Sequence, residues 1–287
     1  MQGREKPVIT FGVMSDCQYA DADPTTHIIA DTNYSSNRQY RQSPRKLKEA
    51  VDFFNTQDLD FVVHVGDFVD RSLDDFGVLR DITDQLTVPF WHVIGNHEYS
   101  DEASTPGRVV DLYAMPSRYY TKDLAGYTFV VLDSSEVSID AYPVGSPEQE
   151  GAFEVVEELS REGRKNAYPW NGGISPQQYG WIEAQFEQAK AEGKHVIVLS
   201  HHMVYPQGSM TMIGGDQLLE LIAKYDNIRA FINGHLHINV MEKKEGIPYI
   251  TLAGMVEEST NAYGVVQLYQ SGEAELQGYG RQQSYSW

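Results

Sequence analysis

The stretch FVVHVGDFVD, residues 61–70, decides how the rest of the chain is read. Its opening run is apolar and β-branched apart from His64, the composition of a strand buried on both faces. Gly66 then supplies a sharp exit, and two carboxylates, Asp67 and Asp70, follow at once. Alone, an aspartate after a strand is most often a turn or capping residue. Here the pattern recurs. VITFGVMSDCQ (8–18) ends in Asp16 and Gln18, and VPFWHVIGNHE (88–98) in Asn96, His97 and Glu98. HVIVLSHH (195–202) ends in His201 and His202, and IRAFINGHLH (228–237) in His235 and His237. Gly66, Gly95 and Gly234 each stand directly before such a donor, where backbone must turn or approach a crowded centre. In an α/β sheet, ligands gather outside the carboxyl ends of the strands, so five such ends supply enough oxygen and imidazole donors for two metal ions.

Between these blocks the grammar is that of an α/β protein. YTFVVLD (127–133) and IPYITLAG (247–254) read as further strands. SPRKLKEAVDFFN (43–55) reads as a helix, with Ser43 as cap, Pro44 behind it, and Leu47, Ala50, Val51 and Phe54 on one face. SPQQYGWIEAQFEQAKAEG (175–193) repeats the signal, capped by Ser175 and leaving at Gly193, and a third helix is expected over DQLLELIAKY (216–225). The tail from Tyr263 to Gly280 has the pattern of a hairpin turning at Ser271-Gly272. Sheets packed face to face with helices outside are expected, in one domain spanning 1–287. A loop-rich insertion at about 134–173 should lie near the site, with a short helix over FEVVEELSREG (153–163).

Composition narrows the class. With 22 Lys and Arg against 41 Asp and Glu the net charge is −19, which argues against a surface built to neutralise nucleic-acid phosphates. A single cysteine, Cys17, excludes an intrachain disulfide framework and suits a reducing, cytoplasmic compartment. No run of 18 apolar residues occurs, so no membrane span is expected. The expected protein is a monomer acting on a small molecule. Among the other histidines, His64 and His92 fall inside strands, His195 starts one and His27 is placed in a loop. All four read as structural. His201 and His202 are adjacent on a strand exit and point opposite ways, so one of them is the ligand. The same alternation puts Asp16 and Gln18 together and turns Cys17 back into the core.

The array D-x-Q, G-D-x-x-D, G-N-H-E, S-H and G-H-x-H resembles the calcineurin-like metallophosphoesterase superfamily. That resemblance implies a four-layer αββα sandwich of two mixed β-sheets flanked by helices, carrying a dinuclear metal centre. Most of the superfamily has histidine where this chain has Gln18. The departure itself is similar to the manganese-dependent ADP-ribose/CDP-alcohol diphosphatases, as are RQYRQSPRKLKEAV (38–51), NGGISPQQYGWI (171–182), HMVYP (202–206) and EGIPYITLAGMVEE (245–258). Carried over, the resemblance implies Asp16, Gln18 and His237 at one metal, Asn96, His201 and His235 at the other, and Asp67 bridging. His97 would be the catalytic histidine, oriented by Asp70.

Mixed carboxylate, amide and imidazole ligation suits Mn2+, Fe2+ or Zn2+. An amide oxygen at Gln18 in place of imidazole shifts the expectation towards Mn2+. For substrate contacts the sequence offers Arg41 and Arg38 for a second phosphate and Tyr19 and Tyr40 to stack on a base. Asn171 with Gly172 and Gly173 is a candidate loop of backbone N–H donors. The expected reaction is hydrolysis of a nucleoside diphosphate-linked compound. A cyclic-nucleotide phosphodiesterase or a general phosphomonoesterase on the same centre is the alternative, and a non-catalytic scaffold is the reading of another class.

Overall fold

All five residues of the strand Phe61–Val65 are buried, so it has cover on both faces, the environment of an interior parallel strand. The computed structural model describes residues 6–29, 34–101 and 104–287. In chain order the first half contains β1 (Ile9–Met14), β2 (Thr25–Ile28), β3 (Ser35–Arg38), α1 (Ser43–Phe54), β4 (Phe61–Val65), α2 (Phe76–Thr83), β5 (Phe90–Val93), α3 (Pro106–Leu112), β6 (Tyr120–Leu124) and β7 (Tyr127–Val131). Then follow α4 (Pro147–Arg161), α5 (Pro176–Ala191), β8 (His195–Leu199), α6 (Gly215–Ile222), β9 (Ile228–Asn233), β10 (Val240–Lys244), β11 (Ile247–Thr251), β12 (Ala262–Leu268), β13 (Ala274–Gly280) and β14 (Tyr285–Ser286).

Two six-stranded sheets result, ordered β14-β13-β12-β1-β4-β5 and β10-β11-β9-β8-β7-β6. Strands β1, β4 and β5 are parallel, as are β11, β9, β8 and β7, while the flanking strands pair antiparallel. Both sheets are therefore mixed. The parallel strands carry the five donor blocks, which is why the donors leave at one end.

The sheets face each other across one apolar cluster. Phe11, Val13, Phe61, Val63 and Val65 of the first meet Phe129, Val131, Ile197, Leu199 and Ile232 of the second. The Phe129 ring stands edge-on to Phe11 at 5.7 Å and to Phe61 at 5.1 Å, joining the two sheets directly. On the outer face of the second sheet, Val130, Val196, Val198 and Phe231 pack with Ile182 and Phe186 of α5 and Leu218, Leu221 and Ile222 of α6. Phe54 of α1 lies over Gly12 and Val62 on the outer face of the first. The order of layers is αββα, as the resemblance implied.

Several local expectations need correction. Ser43 is already helical and donates its hydroxyl to the Cys17 carbonyl, because a 3-10 turn at Tyr40–Gln42 runs straight into α1 and makes Gln42 the cap. Ser175 does cap α5, accepting from the Gln178 N–H at 3.1 Å. The helix in the insertion starts at Pro147 rather than near Phe153, because Ser146 and Pro147 repeat the same cap signal. His27 lies on β2, not in a loop, since Thr25–Ile28 pairs with the polar Ser35–Arg38. No helix among the described residues is long and apolar enough to cross a membrane.

Phe129→Ala removes the ring that bridges the sheets and should lower stability by about 3–5 kcal/mol, read as a reduced midpoint in denaturant unfolding. A loss under about 1 kcal/mol would mean the sheets hold together without it.

Candidate metal centre

Nine non-glycine residues among those described have positive φ, and five of them are candidate ligands: Asp16 (51°), Gln18 (44°), Asp67 (59°), His235 (69°) and His237 (64°). Left-handed backbone is disfavoured for residues with a Cβ and persists where the surroundings impose it, commonly at functional sites. Asp16-Cys17-Gln18 and His235-Leu236-His237 thus share one device, two left-handed residues around a buried apolar one. The extended segment expected at Asp16 and Gln18 is replaced by these two kinks, since β1 has already ended at Met14. Cys17 is buried, its thiol pushed up to about 12 by desolvation, which suits packing rather than ligation.

Hydrogen bonds settle which atom each residue offers. His201 places Nδ1 2.9 Å from the Val65 carbonyl, which accepts its proton, so Nε2 presents a lone pair 3.2 Å from Asp67 Oδ2. His237 donates from Nδ1 to Glu257 at 2.7 Å, so its Nε2 lone pair faces Asp16 Oδ1 at 3.1 Å. Gln18 must turn its NH2 towards the Asp67 carboxylate, 3.0 Å away, which directs Oε1 elsewhere. Asn171 gives its NH2 to the carbonyls of Asn166 and Ser209 at 3.0 and 2.6 Å. Its Oδ1 must then accept from His235 Nε2 at 3.2 Å, leaving His235 Nδ1 as the donor atom.

The result is a cluster rich in acceptor atoms, several of them without a hydrogen-bond partner. Gln18 Oε1, Asn96 Oδ1, His201 Nε2 and His237 Nε2 are all buried without a hydrogen-bond partner. Such groups cost about 1–3 kcal/mol each when left unsatisfied. Atoms of Asp16, Asp67 and His201 lie within 4.8 Å of one another, and divalent cations would satisfy the whole set. Oxygen and imidazole donors without thiolate suit Mn2+, Fe2+ or Zn2+. Burial disfavours the charges of Asp16 and Asp67, but neighbouring histidines, His237 for Asp16 and His201 for Asp67, outweigh it and lower both carboxyls.

Backbone and buried charges hold this cluster rigid. A Cβ at Gly234 would sit 2.0 Å from Ser15 Oγ and 2.6 Å from Asp16 Oδ2, so only glycine lets the β9 exit pass the first donor. Glu98, fully buried, accepts from the N–H groups of Gly95, Asp67 and Phe68 at 2.7, 3.1 and 2.6 Å and from the Tyr113 hydroxyl at 3.0 Å. It ties the β4 and β5 exits together rather than ligating. Lys46 points its ammonium at the carbonyls of Met255, Val256, Glu257 and Glu258, fixing the loop that carries Glu257.

His97 sits at the edge of this centre. Its Nδ1 lies 3.0 Å from Asp70 Oδ1 and 3.1 Å from the Asp70 carbonyl, which leaves Nε2 for a ligand in the cleft that the ring lines. Burial would lower its basicity, but Asp67 and Asp70 more than offset this and push it up to about 9. Arg38 stands 3.9 Å from Asp70 and 4.0 Å from Glu257 and also lines the cleft. The cleft has a volume of about 430 Å³, and Ile28, Ile29, Trp170 and Met210 give it an apolar share of its lining.

The remaining expected residues are placed elsewhere or used differently. Arg41 is exposed and bound by Asp21 and Asp23, and neither it nor Tyr19, which packs against the core, lines the cleft. The N–H groups of Asn171, Gly172 and Gly173 are taken by Tyr168 O, His202 Nε2 and Val137 O. This loop therefore positions histidines instead of donating to a ligand. His202 has both ring nitrogens engaged, Nδ1 donating to Ser134 Oγ at 2.8 Å and Nε2 accepting from the Gly172 N–H at 3.2 Å, and burial holds it neutral with a pKa of about 3. His64 and His92 are core residues kept neutral by desolvation. Glu257 and Lys46 were not read from the sequence. The signal for Glu257 was available, since it lies in the loop after another parallel strand, β11.

The model of the calcineurin-like phosphoesterase family matches residues 9–239. The manganese-dependent ADP-ribose/CDP-alcohol diphosphatase of Arabidopsis thaliana is 26% identical over 311 residues, covering 97% of this chain and 96% of the plant protein. The Homo sapiens protein of the same name is 24% identical over 315 residues, covering 96% and 91%. Among solved structures, a dimetal phosphatase from Danio rerio aligns with a TM-score of 0.86 at 22% identity over 98% of this chain and 99% of that one. The anchor protein of the inner membrane complex of Plasmodium aligns at 0.59 and 14% identity over 98% of this chain and 89% of that one.

Asn171→Leu removes the acceptor that orients His235 and should weaken Mn2+ binding by about 10–100-fold, measured by calorimetric titration. Unchanged affinity would show that His235 is held by other means. In the protein alone a proton occupies the place of a cation at His201: burial opposes it, but Asp67 pulls its pKa up to about 9. Mn2+ must displace that proton below this pH, so affinity should rise with pH, about tenfold per unit per proton displaced. Titrations between pH 6 and 8 check the slope, and a flat profile contradicts the assignment.

Proposed function

The chain belongs to the calcineurin-like phosphoesterase family, and on that premise we propose that it is a divalent-metal-dependent hydrolase of nucleoside diphosphate-linked compounds. ADP-ribose and CDP-alcohols are the substrate class, with a nucleoside monophosphate and a phosphorylated partner as products. The observation that carries this reading is the pairing, in one cleft, of a buried donor set for two cations with apolar side chains in the same lining. A bare phosphomonoester needs only the first. A substrate with an organic ring beyond its phosphates uses both. Full-length similarity to the diphosphatases supports the same choice over a cyclic-nucleotide phosphodiesterase or a general phosphomonoesterase.

In this reading Asp16, Gln18 and His237 hold one cation, Asn96, His201 and His235 hold the other, and Asp67 lies between them. Divalent cations supply Lewis acidity, neutralising phosphate oxygens and making water acidic enough to attack near neutral pH. Mn2+ is the expected metal, given the amide oxygen of Gln18 among harder donors and the manganese dependence in the relatives' names. His97 is kept protonated by Asp70 and directs Nε2–H at the leaving oxygen or a phosphate oxygen. Arg38 adds a guanidinium for the second phosphate, held close to Asp70 and Glu257 without a tight pairing to either. Trp170, stacked on Tyr168 at 4.5 Å, gives the organic half a flat apolar surface. A non-catalytic scaffold would have no use for this complete donor set.

Measured with Mn2+, kcat/KM should be higher for ADP-ribose and CDP-choline than for cyclic AMP and p-nitrophenyl phosphate, and Arg38→Ala should raise KM for the first pair by about tenfold. Preference for cyclic AMP or the simple ester would sink the diphosphatase assignment.

A further inference from the structure

Beside the metal cleft the chain forms a second hollow of about 350 Å³. Ser100 and Asp140 line both it and the metal cleft, so the two spaces meet there. Tyr99, Asp101, Tyr142 and Val144 belong to its wall, and no lysine or arginine lines it among the described residues. The Asp101 carboxylate is used within the fold, accepting from the Leu73 N–H and the Ser104 hydroxyl. Arg118, which stacks on Tyr142 at 5.6 Å, is neutralised by buried Asp133.

Asp140 differs from both. Its carboxylate makes no hydrogen bond or ion pair with the described residues, and it stands within electrostatic reach of His97. A second feature also points to a ligand. Five large apolar side chains are exposed among the described residues, and three of them, Ile28, Val144 and Trp170, line these two adjoining spaces. Exposed apolar groups gathered around a concavity are a mark of binding surfaces. An exposed carboxylate that shares its hollow with Tyr99 and Tyr142, and with no lysine or arginine among the described residues, is suited to an ammonium group.

We propose that this hollow receives the non-nucleotide half of the substrate and that Asp140 selects a cationic head group, favouring a nucleoside diphosphate joined to an ammonium-bearing alcohol. The inference rests on the diphosphatase reading and adds the side chain that discriminates within that class. The polarity of the whole site follows from it. Arg38 marks the anionic end, and Asp140 marks the cationic end beyond the scissile linkage.

The test compares kcat/KM for CDP-choline and CDP-glycerol, both with Mn2+, in the wild type and in Asp140→Asn and Asp140→Lys. The ratio of cationic to neutral substrate should fall about fivefold in Asp140→Asn, the upper range for a part-exposed ion pair, and further in Asp140→Lys. An unchanged ratio in both variants overturns the selection by Asp140 while the diphosphatase reading stands. Hydrolysis of neither CDP compound by wild-type protein that turns over p-nitrophenyl phosphate overturns both.

Discussion

Electron-rich nitrogen and oxygen atoms that face one another in a buried space, where a proton or a cation must stand between them, set the conditions that the surrounding structure must meet. Nε2 of His201 against Asp67, Nε2 of His237 against Asp16, and the orphaned oxygens of Gln18 and Asn96 need protons or cations among them. Left-handed backbone at five of these residues adds strain of about 1–3 kcal/mol each. A loop free to relax would release both. The fold prevents this by hanging every donor on the end of a parallel strand whose other side chains are locked in the core between the sheets.

Around that cluster runs a ring of residues whose work is orientation. Asn171 decides which nitrogen of His235 is protonated, Glu257 does so for His237, and the Val65 carbonyl for His201. Lys46 holds the Glu257 loop, and Glu98 joins the exits of β4 and β5. These partners come from α1, from the loops after β5 and β11, and from the insertion before α5. The centre is therefore a junction between the sheets and the elements outside them. Partners of metal ligands commonly matter nearly as much as the ligands themselves.

Much of this was legible in order. The periodicity of the apolar runs located the parallel strands, and the polar residue after each located its donor, because both signals are local and repeat. Ser-Pro signals located α1 and α5, and the same signal would have set the start of α4 at Ser146. The hairpin of β2 and β3 escaped, since Ser35–Arg38 has no apolar alternation and is held as a strand partly by Glu257 accepting from Ser36 and Asn37. Arg41 and Tyr19 looked like ligand contacts by residue type alone. Nothing local could show that Asp21 and Asp23 already neutralise the first, or that the second packs inward.

By itself the sequence determined which polar side chains follow the strands and that the chain is α/β with helices outside its sheets, since these depend on residue type and spacing along one chain. Asp16 and Gln18 illustrate the limit. A spacing of two on an extended segment was expected to bring them together, whereas the chain makes two left-handed kinks there. Only the tertiary structure decided which histidine nitrogen faces the cations, that the Asn171 loop spends its N–H groups internally, and that Arg38 rather than Arg41 reaches the cleft. Apart from the Asn171 N–H, which Tyr168 takes nearby, those outcomes rest on partners tens to hundreds of residues away, and a hydrogen bond between distant residues leaves no periodic trace in the chain.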